Sequence, residues 1–281
     1  MTLYSLIIVY LGFVVLGAFF AGAERRWPAL PPVSVWRRDR LTDFGYWVFT
    51  PLVTGSLTRS ATFGVIGFLA LFAGYSPRGE EFLASSRMGL RWSAGTLSWW
   101  LQAILALLVA DFVGYWSHRF RHTRAFWPFH AIHHSATQLD WLAAARMHPI
   151  DDLLDNVCVG LPILLLGFDL RLFAFLGPIL ILHTLLLHAN VTWRFGPLRF
   201  VLVSPAMHRW HHAMELESHS RNFAGVFAFF DVMFGSFYLP DSRPQGFGTT
   251  DDQLPSRLGR QLVYPFMPRD MRAADYAKHD R

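Results

Sequence analysis

The chain has 281 residues, 53% of them hydrophobic and only 16% charged, with a formal net charge of +5. Soluble domains average about 25% charged residues, so the composition points to an integral membrane protein whose basic excess meets lipid headgroups, and no basic–aromatic motif supports nucleic-acid binding. The single cysteine, Cys158, excludes a disulfide framework and cysteine-based zinc or iron–sulfur sites, so any metal must be held by histidine with carboxylate help at most.

In chain order, Leu3 to Ala23 is apolar and uncharged, long enough to cross about 30 Å of hydrocarbon. A secretory signal peptide is the alternative, because Ala21-Gly22-Ala23 resembles a cleavage site. A retained transmembrane helix is preferred, because nothing basic precedes the run and it is long for a signal's apolar core. Arg25, Arg26, Arg37, Arg38 and Arg40 follow, and the positive-inside rule puts this loop in the cytoplasm. Phe44 to Gly74 is apolar apart from Arg59 and reads as a tilted helix preceded by an interfacial piece. Ser76 to Arg91 reads as an outside loop. Leu97 to Trp116, broken only by Asp111, returns the chain to the cytoplasmic surface. Leu153 to Val191, interrupted at Gly167-Phe168-Asp169-Leu170-Arg171, reads as a helical hairpin entering and leaving on that side. A mixed, aromatic segment follows, and a polar tail begins at Pro240. The expected fold is all-α: an integral membrane bundle of four to five helices under a cytoplasmic, histidine-rich helical cap. Its parts are N-terminal spans and loops over 1–104, a catalytic domain over 105–240 and a tail over 241–281.

Of 13 histidines, 12 lie between His118 and His219. They form three clusters, His118/His122, His130/His133/His134 and His208/His211/His212, with His148, His183 and His188 between. Members three or four apart project from one helix face. So many imidazoles with so few carboxylates face desolvation or mutual repulsion unless a cation is shared. One zinc-like ion takes three or four ligands, so eight histidines in three clusters imply two ions in a shared site. No Glu here has His three residues later, which sets the pattern apart from the soluble di-iron bundles.

These elements resemble the fatty acid hydroxylase superfamily, also called the sterol desaturase family, in a bacterial-type member. The resemblance is carried by Tyr115-Trp116-Ser117-His118-Arg119 through His122, by Phe129 through Ser135, by Leu139-Asp140-Trp141, and by Arg146-Met147-His148-Pro149. It continues through His188-Ala189-Asn190-Val191, Pro205 through His212, Asn222 through Gly225, and Asp231 through Tyr238, spanning about residues 105 to 240. It implies nine metal ligands: His118, His122, His130, His133, His134, His188, His208, His211 and His212. His148 is expected as an additional ligand or close neighbour, and His183 as a core residue or a hydrogen-bonding neighbour of the ligands. His219 and His279 are expected on the surface. Metal-bound imidazoles usually donate their other N–H to an oxygen, a role open to Asp111, Asp140, Asp151, Asp231 and Asn190. Plain alternatives are a helix cap for Asp231 and a first-turn acid for Asp151. His148, Asn190 and Asp231 are the expected catalytic residues. Arg119, Arg121 and Arg124 read as interfacial anchors, and Phe223 to Phe237 as either a lipid channel or ordinary packing.

The resemblance implies an O2-dependent attack on a C–H bond of a lipid or sterol-like substrate, giving hydroxylation or desaturation at two non-haem iron ions, with zinc acceptable in purified protein. No dinucleotide fingerprint or haem motif is present, so electrons are expected from a separate electron-transfer protein. The bacterial inner membrane, with the site facing the cytoplasm, is the expected location. The alternatives are cleavage of ether lipids or fatty aldehydes, a histidine-rich metal transporter or sensor, and a zinc hydrolase. Transport fits less well, because the ionisable residues gather at one membrane edge instead of mid-span. A hydrolase lacks an evident Glu base beside the clusters.

Overall fold

The computed structural model describes residues 3–31, 37, 39–72, 94–169, 171–249 and 254–268. Among them the protein is all-helical, with two isolated β-bridges and no strands. The long helices are α1 (Leu3–Arg26), α2 (Arg40–Phe49), α3 (Gly55–Phe72), α4 (Trp99–Arg121), α6 (Pro149–Leu165) and α7 (Arg171–His188). Short helices complete the site end: α5 (Trp127–His130), α8 (Pro205–His211), α9 (Phe229–Met233) and α10 (Leu258–Val263). The loop expected over Ser76 to Arg91 lies outside the described residues, as does His279.

Backbone bonds fix the direction of each helix. Ala94 and Gly95, just before α4, donate to the carbonyls of Leu166 and Gly167 in the α6–α7 turn, at 2.9 Å each. Gly167 takes a left-handed conformation there (φ 70°), so the break in the apolar run becomes the hairpin turn. Helices α4 and α7 therefore run together toward one end, antiparallel to α6, and α1 runs with them. Glu24 in the last turn of α1 accepts from the backbone N–H of Asn190 and of Trp141, at 2.9 and 3.1 Å. The apolar stretch from Phe44 is one nearly continuous helical run. A π-helical segment over Thr50–Thr54 joins α2 to α3 at Pro51, which has no N–H for a regular ladder.

Helix α4 is the one described helix long and apolar enough by composition to cross a membrane, with mean hydropathy 1.4 over its best window. Its outward side chains, Trp100, Leu101, Ile104 and Phe112, are exposed, as are Leu11, Val14, Val15 and Phe19 of α1 and Ile179, Ile181 and Leu182 of α7. Two of the apolar clusters between the helices set the bundle's packing. One packs Ala103 and Ala106 of α4 against Ile163 and Leu176, and the other joins Phe20 and Trp141 to Leu185 and Ala189. Residues 254–268 fold back onto the site end. Thr42 donates to the Ser256 carbonyl, buried Gln261 donates to the Pro255 carbonyl at 2.8 Å, and Phe266 packs on Phe129.

Candidate metal centre

Three helices end at the histidines with their C-termini, where the helix dipole favours a cation. His118 is in the last turn of α4, His188 closes α7, and His208 and His211 lie on α8, with His212 as its cap. Ser204 caps α8 through its side chain, which accepts from the Met207 N–H, and Pro205 opens the helix with a preset φ. His130 ends α5, and His133 and His134 begin the following 3₁₀ turn.

The nine histidines fall into two groups, and within each group the ligating nitrogens all lie within 4.8 Å of one another. One group holds His118, His122, His130, His134 and His211. The other holds His133, His188, His208 and His212. The groups adjoin, with His134 stacked on His212 at 4.4 Å between ring centroids. Seven of the nine rings are buried, and His118 and His122 are half-buried.

The hydrogen bonds assign tautomers. Nδ1 of His118 meets the Phe223 carbonyl at 2.8 Å and that of His211 the Arg221 carbonyl at 2.8 Å; Nδ1 of His133 meets the Arg146 carbonyl at 3.0 Å and that of His188 the Thr184 carbonyl at 2.8 Å. Nδ1 of His130 meets Asp151 Oδ2 at 2.9 Å. Carbonyl and carboxylate oxygens only accept, so each of these Nδ1 atoms carries the proton and each Nε2 is a bare lone pair. Yet Nε2 of His118 and of His130 face each other at 3.1 Å, and Nε2 of His133 and of His188 at 3.4 Å. Two lone pairs so placed repel unless a cation sits between them. Ligands about 2.0–2.1 Å from one octahedral or tetrahedral ion stand roughly 2.8–3.4 Å apart, a range that includes this spacing. In the first group, Nε2 of His122 and of His211 are buried without a hydrogen-bond partner. The donor set in each group fits a metal ion.

Protonation is a poor substitute for metal here. Burial first, and the neighbouring imidazoles second, with Arg121 acting on His130, hold His130, His133, His134, His208 and His212 well below the usual 6.5. Burial brings His211 down to about 4. With folded-state values depressed, the unfolded chain binds more protons below pH 6.5, so acid destabilises the fold progressively from 6.5 downward. Protons also compete with metal for the same nitrogens. Metal content measured against pH is expected to hold between pH 7 and 9 and to fall as the pH drops below about 6.5 toward 4. Full retention at pH 4 would contradict neutral-imidazole ligation.

Other predicted residues take supporting positions. Asp151 orients His130 and also pairs with Arg121 at 3.4 Å. Asp111 accepts from the backbone N–H groups of Gly225, Val226 and Phe227. A Cβ on Gly225 would approach Asp111 Oδ1 to 3.2 Å, so glycine keeps that approach open. Asp231 accepts from the Phe223 and Ala224 N–H groups and the Ser236 hydroxyl, holding the strand of chain whose Phe223 carbonyl meets His118. Burial, against these hydrogen bonds, raises its carboxyl to about 6. Asp140 caps the 3₁₀ turn at Trp141.

His148 is brought to neither group: Nδ1 accepts from the Ile150 N–H as the cap of α6, and Nε2 meets the Leu262 carbonyl at 3.1 Å. Asn190 instead pins the chain after α1, accepting from Leu30 N–H and donating to the Leu30 carbonyl. His183 stands apart, its Nε2 at 3.0 Å from the Gly225 carbonyl, and His219 is exposed. Sequence reasoning missed Arg37 and Asp43, which buttress Arg146 behind His133. The available signal was an aspartate at the edge of an apolar run. As a prediction, Asp151→Asn is expected to lower metal affinity about 10–100-fold while sparing helix content, because it weakens the acceptor that holds the His130 tautomer. Metal titration with circular dichroism checks both.

A buried two-group histidine centre on a helical bundle defines a class, and comparison with known proteins agrees with it. Residues 103–236, 134 of the 281, match the model described as fatty acid hydroxylase, so a fatty acid hydroxylase domain covers that region. It is similar to ornithine lipid hydroxylase OlsE of Rhizobium tropici, at 34% identity over 59% of this chain and 50% of that protein. It is also similar to alkylglycerol monooxygenase of Danio rerio, at 30% identity over 54% of this chain and 33% of that protein. Very-long-chain aldehyde decarbonylase GL1-11 of Oryza sativa subsp. japonica is 28% identical over 53% of this chain and 58% of its own length. The chain thus spans about half the length of the bacterial relative and a third of the animal one. No solved structure matches it.

Proposed function

We propose that the protein is a membrane-bound, O2-dependent di-iron oxygenase that hydroxylates or desaturates a lipid, with one ion held by each histidine group. The observation that carries this reading is the pairing of bare Nε2 lone pairs at 3.1 and 3.4 Å, one pair in each group. Two reduced irons, when bound, supply the capacity to activate O2 toward an unactivated C–H bond. The chain's own residues do the rest. The carbonyls of Phe223, Arg221, Arg146 and Thr184, with Asp151, hold the Nδ1 protons and aim the Nε2 atoms inward.

A cavity of about 650 Å³ lies between α1, α2, α3, α6 and α7, lined by Phe13, Trp47, Ala145, Ile181 and Leu185 among others. Its wall includes Thr184, whose carbonyl orients His188, and Ala145, next to Arg146, whose carbonyl orients His133. Volumes of this size accept lipid-sized ligands. An apolar chain entering there from the bilayer places a carbon beside the second histidine group, and its fit excludes water. Four to five membrane helices, the inner membrane and a cytoplasmic site complete the proposal. The outward apolar faces of α1, α4 and α7 support the spans, and the arginines after α1 support the orientation. A reporter after Pro240 tests the orientation, and periplasmic signal would reverse it.

The deciding experiment is anaerobic purification, metal counting, and incubation with a lipid extract, reductant and ¹⁸O2. Two irons per chain and ¹⁸O in a lipid product, or a new double bond, support the proposal. An O-alkylglycerol arm and a fatty-aldehyde arm separate the cleavage chemistries named by the relatives. Metal uptake into proteoliposomes with no lipid product would overturn it in favour of transport.

A further inference from the structure

A second cavity, of about 200 Å³, lies at the site end of the bundle, away from the histidines' inward faces. Its walls come from Ala29 and Leu30 after α1, from Thr192 and Arg194 after α7, from Arg209 and Trp210 of α8, and from the turn at Asp241–Pro244. At ~30 Å³ per liquid water, it has room for a tetrahedral oxyanion together with a few waters. Three arginines, Arg194, Arg209 and Arg243, line it against one carboxylate, Asp241. That carboxylate is fully exposed and engaged with Arg194 at 3.2 Å. Arg243 has no carboxylate partner among the described residues.

Arg209 shows that the arrangement is built. It is 4% exposed, and its Nη2 donates to the carbonyls of Ala189 and Val191 at 2.9 Å each, fixing it at the exit of α7. Its Nε–H is buried with no partner, a costly state for a charged donor. Arginine guanidiniums stay charged at neutral pH, and Arg209 and Arg243 line one cavity whose lining carboxylate, Asp241, is exposed and paired with Arg194. Nearby, Trp27 and Trp193 pack at 5.6 Å and Arg26 lies over Trp27. Such an aromatic and basic edge belongs at headgroup level.

We propose that this three-arginine cavity binds a phosphate-class oxyanion, supplied by a lipid headgroup or by free phosphate. The bound anion adds counter-charge at Arg209 and Arg243, offers an acceptor for the Arg209 Nε–H, and ties the 241–244 turn to α8. This oxyanion site does not depend on the oxygenase reading, although Arg209 shares α8 with His208 and His211.

Thermal unfolding of the metal-loaded, detergent-solubilised protein tests this, at matched ionic strength. The probes are inorganic phosphate, dihexanoylphosphatidic acid and dihexanoylphosphatidylcholine. Stabilisation by about 2 °C or more with inorganic phosphate, over potassium chloride, supports a free-phosphate site. The same shift with phosphatidic acid alone, and not with phosphatidylcholine, supports a lipid source. In either case Arg243→Glu, at an exposed position that leaves the Arg209 carbonyl bonds in place, must weaken the apparent affinity at least about tenfold with metal content unchanged. Equal shifts in Arg243→Glu and the parent, or no shift with any phosphate-bearing probe, would overturn the proposal.

Discussion

His133→Ala is expected to drop bound metal from the proposed two ions per chain toward one, whereas His211→Ala retains both at saturating metal with weakened affinity. The asymmetry follows from group size. Removing His133 leaves three histidines in its group, and removing His211 leaves four in the other, still a full tetrahedral set. Both variants should lose activity by more than about 100-fold, since changes outside the ligand set already cost about 10–100-fold. A second consequence separates ligation from packing. Metal stabilises the folded state by mass action, so the His133→Ala destabilisation should be large with iron present and should shrink once a chelator has stripped it. In the stripped protein, losing one of two facing lone pairs relieves repulsion with His188. Metal counts and unfolding curves with and without chelator read both effects. Two irons in each variant at wild-type affinity would remove these histidines from the ligand set.

The histidines were legible because helical spacing survives in two of the three clusters, at the ends of α4 and α8, whereas His130 ends α5 and His133 and His134 lie on the next 3₁₀ turn. Their division into five and four was not legible. It depends on how α4, α5, α7 and α8 converge, which places neighbours His133 and His134 in different groups. The hairpin at Gly167 was readable from a polar break in an apolar run. The destinations of the polar residues were not, because a sequence does not say which oxygen a buried N–H will find. His148 and Asn190 carry the same chemistry as a ligand and an amide partner, yet the fold uses them to cap α6 and to anchor Leu30. Asp111 and Asp231 act one step back, Asp111 holding backbone of the 223–227 segment against α4 and Asp231 holding it against α9. The 254–268 segment carries no strong pattern, and only its packing on α2 and His148 reveals that it belongs to the site end.

Asp43→Ala should be among the most damaging substitutions remote from the ligands. Asp43 is fully buried and accepts from two arginines, Arg37 Nη2 and Arg146 Nε. Arg37 is shared with Asp140 at 2.8 Å, and Arg146 continues to the Ser135 hydroxyl at 3.0 Å and the Asp39 carbonyl at 3.3 Å. The guanidinium groups are only 1–3% exposed. Removing the shared carboxylate leaves two desolvated cations with weaker partners, and breaking a buried pair in this way costs about 3–5 kcal/mol. The damage should reach the metal centre by a defined path. The Arg146 carbonyl holds the Nδ1 proton of His133, and its side chain holds Ser135 in the turn carrying His133 and His134. Iron should therefore be lost from the four-histidine group before the other, at temperatures below global unfolding. Asp169→Ala removes a pair to Arg171, but Arg171 is 84% exposed, so the loss should stay near the ~1 kcal/mol of the bond Asp169 accepts from the Arg171 N–H, with metal content unchanged. If Asp43→Ala were as mild as Asp169→Ala, the buried network would be incidental to the site; a large loss confined to Asp43→Ala makes it the scaffold on which the second histidine group is aimed.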